Sequence, residues 1–244
     1  VNSLDALVLE GISKNFGALA ALTNVNMRVQ VGEVVGLIGP NGAGKTTLFN
    51  IVTGFIKPDR GRVKLFGEDV TGLQPHQIAA RGVARTFQIV KPFFGMTVYE
   101  TVLVGAYLRE KDEDNARQRA EVAMKLTGVY HLRNRYAREL NTPQLKLVEL
   151  ARSLATQPKL LMLDEIVAGL TPAEVDAMTA LVKRIRDEMG VTVLLVEHVM
   201  RFVMNISDRV VVLNYGEVIA EGSPSEVSSN LKVIEAYLGG KSGS

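Results

Sequence analysis

Apolar residues in this chain gather in short runs at 7–9, 25–29, 34–38, 63–66, 160–163, 191–196 and 210–213. Their length and their alternating or continuous character predict strands. Between several of them, at 46–53, 144–155, 172–189 and 198–205, apolar positions recur at helical spacing. Strands that alternate with helices predict a mostly parallel, doubly wound sheet. The amino-terminal part departs from this pattern. Residues 7–31 and 62–70 offer strands joined by short turns such as Val31-Gly32-Glu33, with no helix between them, which predicts a small antiparallel β subdomain. Residues 97–136 contain no strand-like run; helical patterns at 98–108 and 116–126, separated by the charged stretch 109–114, predict an inserted α-helical subdomain. The expected organisation is one α/β domain over 1–240. Its core and β subdomain occupy about 1–88 and 158–240, its helical subdomain 89–157, and a flexible Gly/Ser/Lys tail 241–244.

Composition narrows the picture. With 244 residues, 47% hydrophobic and 22% charged, the chain can bury a sizeable core. Its 28 basic and 26 acidic residues are interspersed, so no basic face points to nucleic acid. The absence of cysteine rules out disulfides and thiolate metal sites. Residues 1–10 carry Asp5 and Glu10 and no basic stretch leading into an apolar run, so no secretory signal is expected there. No apolar run approaches the roughly 20 residues that a membrane-crossing helix needs. Any membrane role is therefore expected to go through a partner.

The strongest chemical signal is Gly39-Pro40-Asn41-Gly42-Ala43-Gly44-Lys45-Thr46, which fits G-x-x-x-x-G-K-[ST] between the predicted strand 34–38 and the helix starting near Thr46. A Gly-rich turn can simply join strand to helix, but these flanking elements favour a phosphate-binding loop. Glycines let successive N–H groups face a phosphate chain, and the helix start adds its positive dipole end. Lys45 is suited to the β- and γ-phosphates, the Thr46 hydroxyl to Mg²⁺, and the hydroxyl of Thr47 to the α-phosphate. The apolar run 160–163 then ends in Asp164-Glu165. Two carboxylates at the end of a buried strand call for a cation, and beside a phosphate loop they suit Mg²⁺ and an attacking water. His198 follows the run 191–196, and Gln88 closes the short strand-like run 83–87, so both are candidates for the same crevice. His76 and His131 receive no role.

Taken in order, Gly39 to Thr46, Gln88, Leu140 to Gln144, Asp164-Glu165 and His198 resemble the ATP-binding subunits of ABC transporters over essentially the whole chain. The resemblance is strongest to the LivG type of branched-chain amino-acid importers, through Thr53-Gly54-Phe55, Ala84-Arg85-Thr86-Phe87-Gln88, Met96-Thr97-Val98, Ile219-Ala220-Glu221-Gly222 and Glu235-Ala236-Tyr237-Leu238. It implies that Phe16 stacks on adenine, that Gln88 senses Mg²⁺ and the membrane subunit, that Glu165 is the catalytic base and that His198 is a γ-phosphate switch. Core packing is the other reading of Phe16.

The resemblance further implies ATP and Mg²⁺ as cofactors, transmembrane permease subunits docked near 88–108, a second ATPase subunit, and an extracytoplasmic solute-binding protein that acts indirectly. It places the chain peripherally on the cytoplasmic face of the inner or plasma membrane. Three positions depart from the pattern. The signature Leu-Ser-Gly-Gly-Gln is here Leu140-Asn141-Thr142-Pro143-Gln144, the Pro after the catalytic Glu is Ile166, and the following loop reads Ala168-Gly169-Leu170-Thr171. Pro143 has no N–H to offer a facing γ-phosphate, although Asn141 or Thr142 before Pro143 makes a sound helix start. A heterodimer with a different, intact ATPase is therefore favoured. Two other functions are weighed: a soluble ABC ATPase acting on nucleic acid or ribosomes, and a nucleotide-gated clamp with little turnover.

Overall fold

The computed structural model describes residues 5–88 and 93–238; the expected tail at 241–244 lies outside the described residues. The chain opens with β1 (Asp5–Phe16), β2 (Leu19–Gln30), β3 (Val34–Ile38), α1 (Lys45–Val52), β4 (Arg60–Leu65) and β5 (Glu68–Asp69). There follow α2 (Pro75–Ala80), β6 (Val83–Arg85), α3 (Val98–Ala106), α4 (Glu113–Leu126), α5 (Thr142–Ala155) and β7 (Leu160–Asp164). The last third holds α6 (Pro172–Met189), β8 (Thr192–Val196), α7 (Met200–Ile206), β9 (Arg209–Asn214), β10 (Glu217–Gly222), α8 (Pro224–Ser228) and α9 (Leu231–Leu238).

Two compact units emerge, one from residues up to Arg81 together with those from Thr192 onward, the other from Gly82–Val191. In the first, β2, β1, β4 and β5 form an antiparallel sheet in that order, as the short turns between apolar runs predicted. The same unit carries β3 between β8 and β9, parallel to both, with Val34 opposite Val193 and Val35 opposite Arg209. Every residue of β3 and of β8 is buried, which accounts for their nearly continuous apolar sequence, Thr192 being the one polar residue. β10 pairs antiparallel with β9. Apolar periodicity did not reveal it, because its residues are all half-buried or exposed and no core face selects an apolar run.

The second unit packs α3, α4 and α5 beside the parallel pair β6 and β7. Val102, Ala106, Ala120, Met124, Leu150 and Leu154 are buried, the valine, methionine and leucines each contributing about 1.5–3 kcal/mol when fully removed from water. α6 is bounded as its sequence implies. Thr171 accepts from the Glu174 N–H while the Glu174 carboxylate accepts in return, Pro172 stands in the first turn, and Gly190 closes the helix in the left-handed region. α7 starts at Met200 rather than at His198, since the chain bends at His198 and no side chain caps the helix.

α3 lies so close to α5 that a β-carbon on Gly105 would come within 2.2 Å of the Arg152 carbonyl oxygen. Overpacking of this kind costs about 1–3 kcal/mol. Gly105→Ala is expected to lower the melting temperature by about 5 °C, at about 2–4 °C per kcal/mol for a domain of this size. Gly95→Ala, where nothing stands within 4 Å, is expected to leave it unchanged. Paired thermal melts of the two variants check the assignment.

Candidate functional site

In the first unit the chain leaves buried β3 directly into the Gly39–Thr46 loop. Gly39 lies at φ 152, and a β-carbon there would sit 2.0 Å from the Leu213 carbonyl oxygen, so only glycine lets the loop hug β9. The Ala43 N–H bonds back to the Pro40 carbonyl at 3.2 Å, and the Ala43 carbonyl accepts from Gly216 in the β9–β10 turn at 3.0 Å. Gly44, left-handed at φ 103, begins α1 without a side-chain cap, and the first turn holds no acidic residue. That turn therefore presents its N–H groups and the positive end of the helix dipole to an anion. Lys45 is buried, and its ammonium donates to the Gly39 and Pro40 carbonyls at 2.7 and 2.9 Å, which pins the curl of the loop. Around it Asn41, Gly42 and Thr46 are exposed, Pro40 and Thr47 half-buried, and Ala43 buried.

Two outlying candidates belong to the same unit. Val196 of β8 lies opposite Leu37 of β3, so His198 and Gly39 each follow their strand by the same two residues beyond that pair. His198 is exposed, in the bend between β8 and α7. Phe16 ends β1 with 47% of its surface exposed, which removes the core reading, and the Lys14 ammonium stands 5.6 Å from its ring centre.

In the second unit β7 is buried along its length and ends at Asp164 and Glu165. Asp164 is not alone: Arg85 Nη2 donates to its Oδ2 at 2.7 Å, with both side chains 7% exposed. Removing one partner of such a buried pair costs about 3–5 kcal/mol. The run from Arg85 to Gln88 is fastened at every residue. The Thr86 N–H donates to the Met162 carbonyl and its hydroxyl accepts from the Asp164 N–H; the Phe87 N–H donates to Glu149 at 3.0 Å; Gln88 Nε2 donates to Glu165 Oε2 at 2.7 Å. Gln88, Asp164 and Glu165 are thus brought together as one cluster.

Glu165 occupies the left-handed region at φ 49, a conformation that costs a non-glycine residue about 1–2 kcal/mol. Lys146 of α5 holds it there, donating to the Glu165 and Ala168 carbonyls at 3.2 and 2.6 Å. The start of α5 is built by Asn141, whose side chain accepts from the Gln144 N–H while the Gln144 side chain accepts from the Asn141 N–H. This capping box takes up the N–H groups of Asn141 and Gln144, and Pro143 between them has no N–H to offer a ligand.

Arg85, Lys146 and Glu149 escaped the sequence reading. The available signal was faint: Lys146 and Glu149 fall among apolar residues on the buried side of α5, and Arg85 ends the short strand β6. Glu149 is buried beside Phe87, and burial pushes its carboxyl up from the ordinary range against the pull of the Phe87 N–H and of Arg152, 3.7 Å away.

A family model described as "ABC transporter" matches residues 22–168, and one described as "Branched-chain amino acid ATP-binding cassette transporter" matches 217–242. The high-affinity branched-chain amino acid transport ATP-binding protein BraF of Pseudomonas aeruginosa is 42% identical, covering 96% of this chain and 97% of its own length. The corresponding LivG of Escherichia coli is 41% identical over the same shares. Among solved structures, an ATP-binding cassette of an ABC transporter in its ADP conformation matches with a TM-score of 0.88 at 35% identity, covering 97% of this chain and 100% of that one.

Because burial raises the folded-state pKa of Glu149 above its unfolded value, the folded chain binds the extra proton, and stability falls as pH rises through that window. Glu149→Gln keeps an acceptor for Phe87 and removes the buried charge. It is expected to melt a few degrees above the parent at pH 7.5, with the gain shrinking as pH drops toward 5. Thermal melts across that range check the sign, and a variant that melts lower at pH 7.5 contradicts it.

Proposed function

The chain belongs to the ATP-binding cassettes of ABC transporters and has their fold, and from that premise we propose that it is the ATPase that powers import of branched-chain amino acids through separate membrane subunits. The observation that carries the reading is the uncapped, acid-free start of α1 behind the Gly39–Gly44 curl, a ready receptor for phosphate on a chain whose end matches the branched-chain cassette model. Backbone N–H groups of the loop and of α1 hold the phosphate chain, Lys45 neutralises its β- and γ-phosphates, and the Thr47 hydroxyl serves the α-phosphate. Phe16 offers its exposed ring to adenine.

The residues fit Mg²⁺ by donor type. The Thr46 hydroxyl, the Gln88 amide oxygen and the Asp164 carboxylate are all hard oxygen donors. With so few protein donors, phosphate oxygens and water would complete the shell. Mg²⁺ bound by these residues would neutralise phosphate charge. Glu165 takes the proton of the attacking water, and His198 contacts the γ-phosphate.

Among the described residues no helix is long and apolar enough to cross a membrane. By its likeness to transport ATP-binding proteins, the chain is assigned a peripheral place at the cytoplasmic face, acting on permease subunits. Phe93 and Phe94, 41% and 60% exposed just before α3, are the proposed docking residues. An extracytoplasmic solute-binding protein would act only through those subunits. A soluble ATPase working on nucleic acid or ribosomes is not favoured, given the balanced charge and the branched-chain cassette match.

Lys45→Ala is expected to weaken ATP binding at least tenfold, since charged hydrogen bonds of about 1.5–3 kcal/mol are lost. Glu165→Gln should bind ATP normally yet turn over about 10²–10⁴-fold more slowly, because an amide cannot take the water's proton. Equilibrium titration and phosphate release on the two variants separate binding from chemistry, and parental behaviour in either removes the corresponding role.

The signature predicts asymmetry. Paired with a second, different ATPase of intact signature, this chain's loop, Glu165 and His198 complete one competent site, while Asn141-Thr142-Pro143 impairs the other. The purified chain alone is therefore expected to hydrolyse ATP weakly, and Thr142→Gly with Pro143→Gly to raise the rate. Brisk turnover by the unmodified chain, with no gain from the double change, would show that the altered signature suffices.

A further inference from the structure

The proposed chemistry gives Asp164 to a metal ion, yet the structure already gives it a cation. Arg85 Nη2 meets Asp164 Oδ2 at 2.7 Å, both side chains almost fully buried, so the carboxylate is neutralised by the protein itself. The guanidinium also has a second neighbour, the Phe87 ring, whose centre lies 5.1 Å from its central carbon. Phe87 is 39% exposed, so Arg85 stands between a buried carboxylate and an aromatic face at the surface, and both attract a cation.

A divalent ion drawn to Asp164 must share that carboxylate with the guanidinium, and like charges within a few ångströms repel in a poorly solvated site. We propose that Arg85 is a positioning residue that acts as the resident counter-ion of Asp164 and weakens the hold of a divalent cation there. The cation then binds only when nucleotide phosphates add their negative charge. Sharing of the carboxylate loosens one of the hydrogen bonds that hold the run from Arg85 to Gln88, and the Phe87 ring receives the guanidinium as it moves. This inference rests on the nucleotide reading above.

The test compares ADP affinity of the full chain in Mg²⁺ with that in EDTA, by calorimetry, for the parent, Arg85→Gln and Arg85→Lys. The ratio of the two affinities isolates the metal's contribution, whereas a merely structural role for Arg85 would lower the melting temperature and weaken ADP alike in both buffers. Arg85→Gln is expected to raise the ratio at least threefold. Arg85→Lys, which keeps the charge but not the planar fork, is expected to raise it less. A ratio at or below the parental one in Arg85→Gln overturns the proposal; should that variant not fold, the same result in Arg85→Lys does so. A parent chain that binds no ADP in either buffer overturns the nucleotide reading itself, and this inference with it.

Discussion

A charge inside a protein must meet an opposite charge or a full set of hydrogen bonds, and the functional regions of both compact units are organised by that requirement. In one, the Lys45 ammonium is buried against the carbonyls of Gly39 and Pro40 and thereby shapes the loop. In the other, Asp164 is matched by Arg85, Glu149 by the Phe87 N–H, and Lys146 by the carbonyls of Glu165 and Ala168. Each of these bonds fixes a loop that leaves a buried strand. The elements themselves are ordinary; the ionic contacts at their ends give the loops one conformation.

This division explains what could be read from the sequence. The loop at 39–46 and the Asp164-Glu165 pair are contiguous, and β3 and β7 announce themselves by unbroken apolar runs, so motif and context lie in one window. Apart from the family resemblance, Gln88 was legible as no more than the end of a short run, and its bond to Glu165, 77 positions away, was not legible at all. Arg85 with Asp164 and Phe87 with Glu149 are likewise separated by 79 and 62 positions. Local periodicity carries no information about such pairings. The exposed edge strand β10 was hidden for a different reason, since no buried face shaped its sequence.

The start of α5 shows two demands on one set of atoms. A helix needs its first N–H groups satisfied, and a phosphate bound across an interface would need the same groups left open. Here the Asn141 side chain takes the Gln144 N–H and Pro143 removes another altogether. Local stability of the helix and ligand contact at its tip are therefore opposed in this segment, whereas at α1 the uncapped Gly44 resolves the same conflict in favour of the ligand.

The left-handed backbone at Glu165 has a consequence for how this chain can evolve or be redesigned. Glycine would relax that residue by about 1 kcal/mol, so any selection for thermal robustness alone favours losing the carboxylate. Lys146, anchored to the same backbone, limits that pressure by making the conformation obligatory whichever residue occupies it. Homologues that had lost their chemistry would thus be expected to keep the lysine and the bend while the acid drifted, which makes the side chain at 165, rather than the shape around it, the trace of an active lineage.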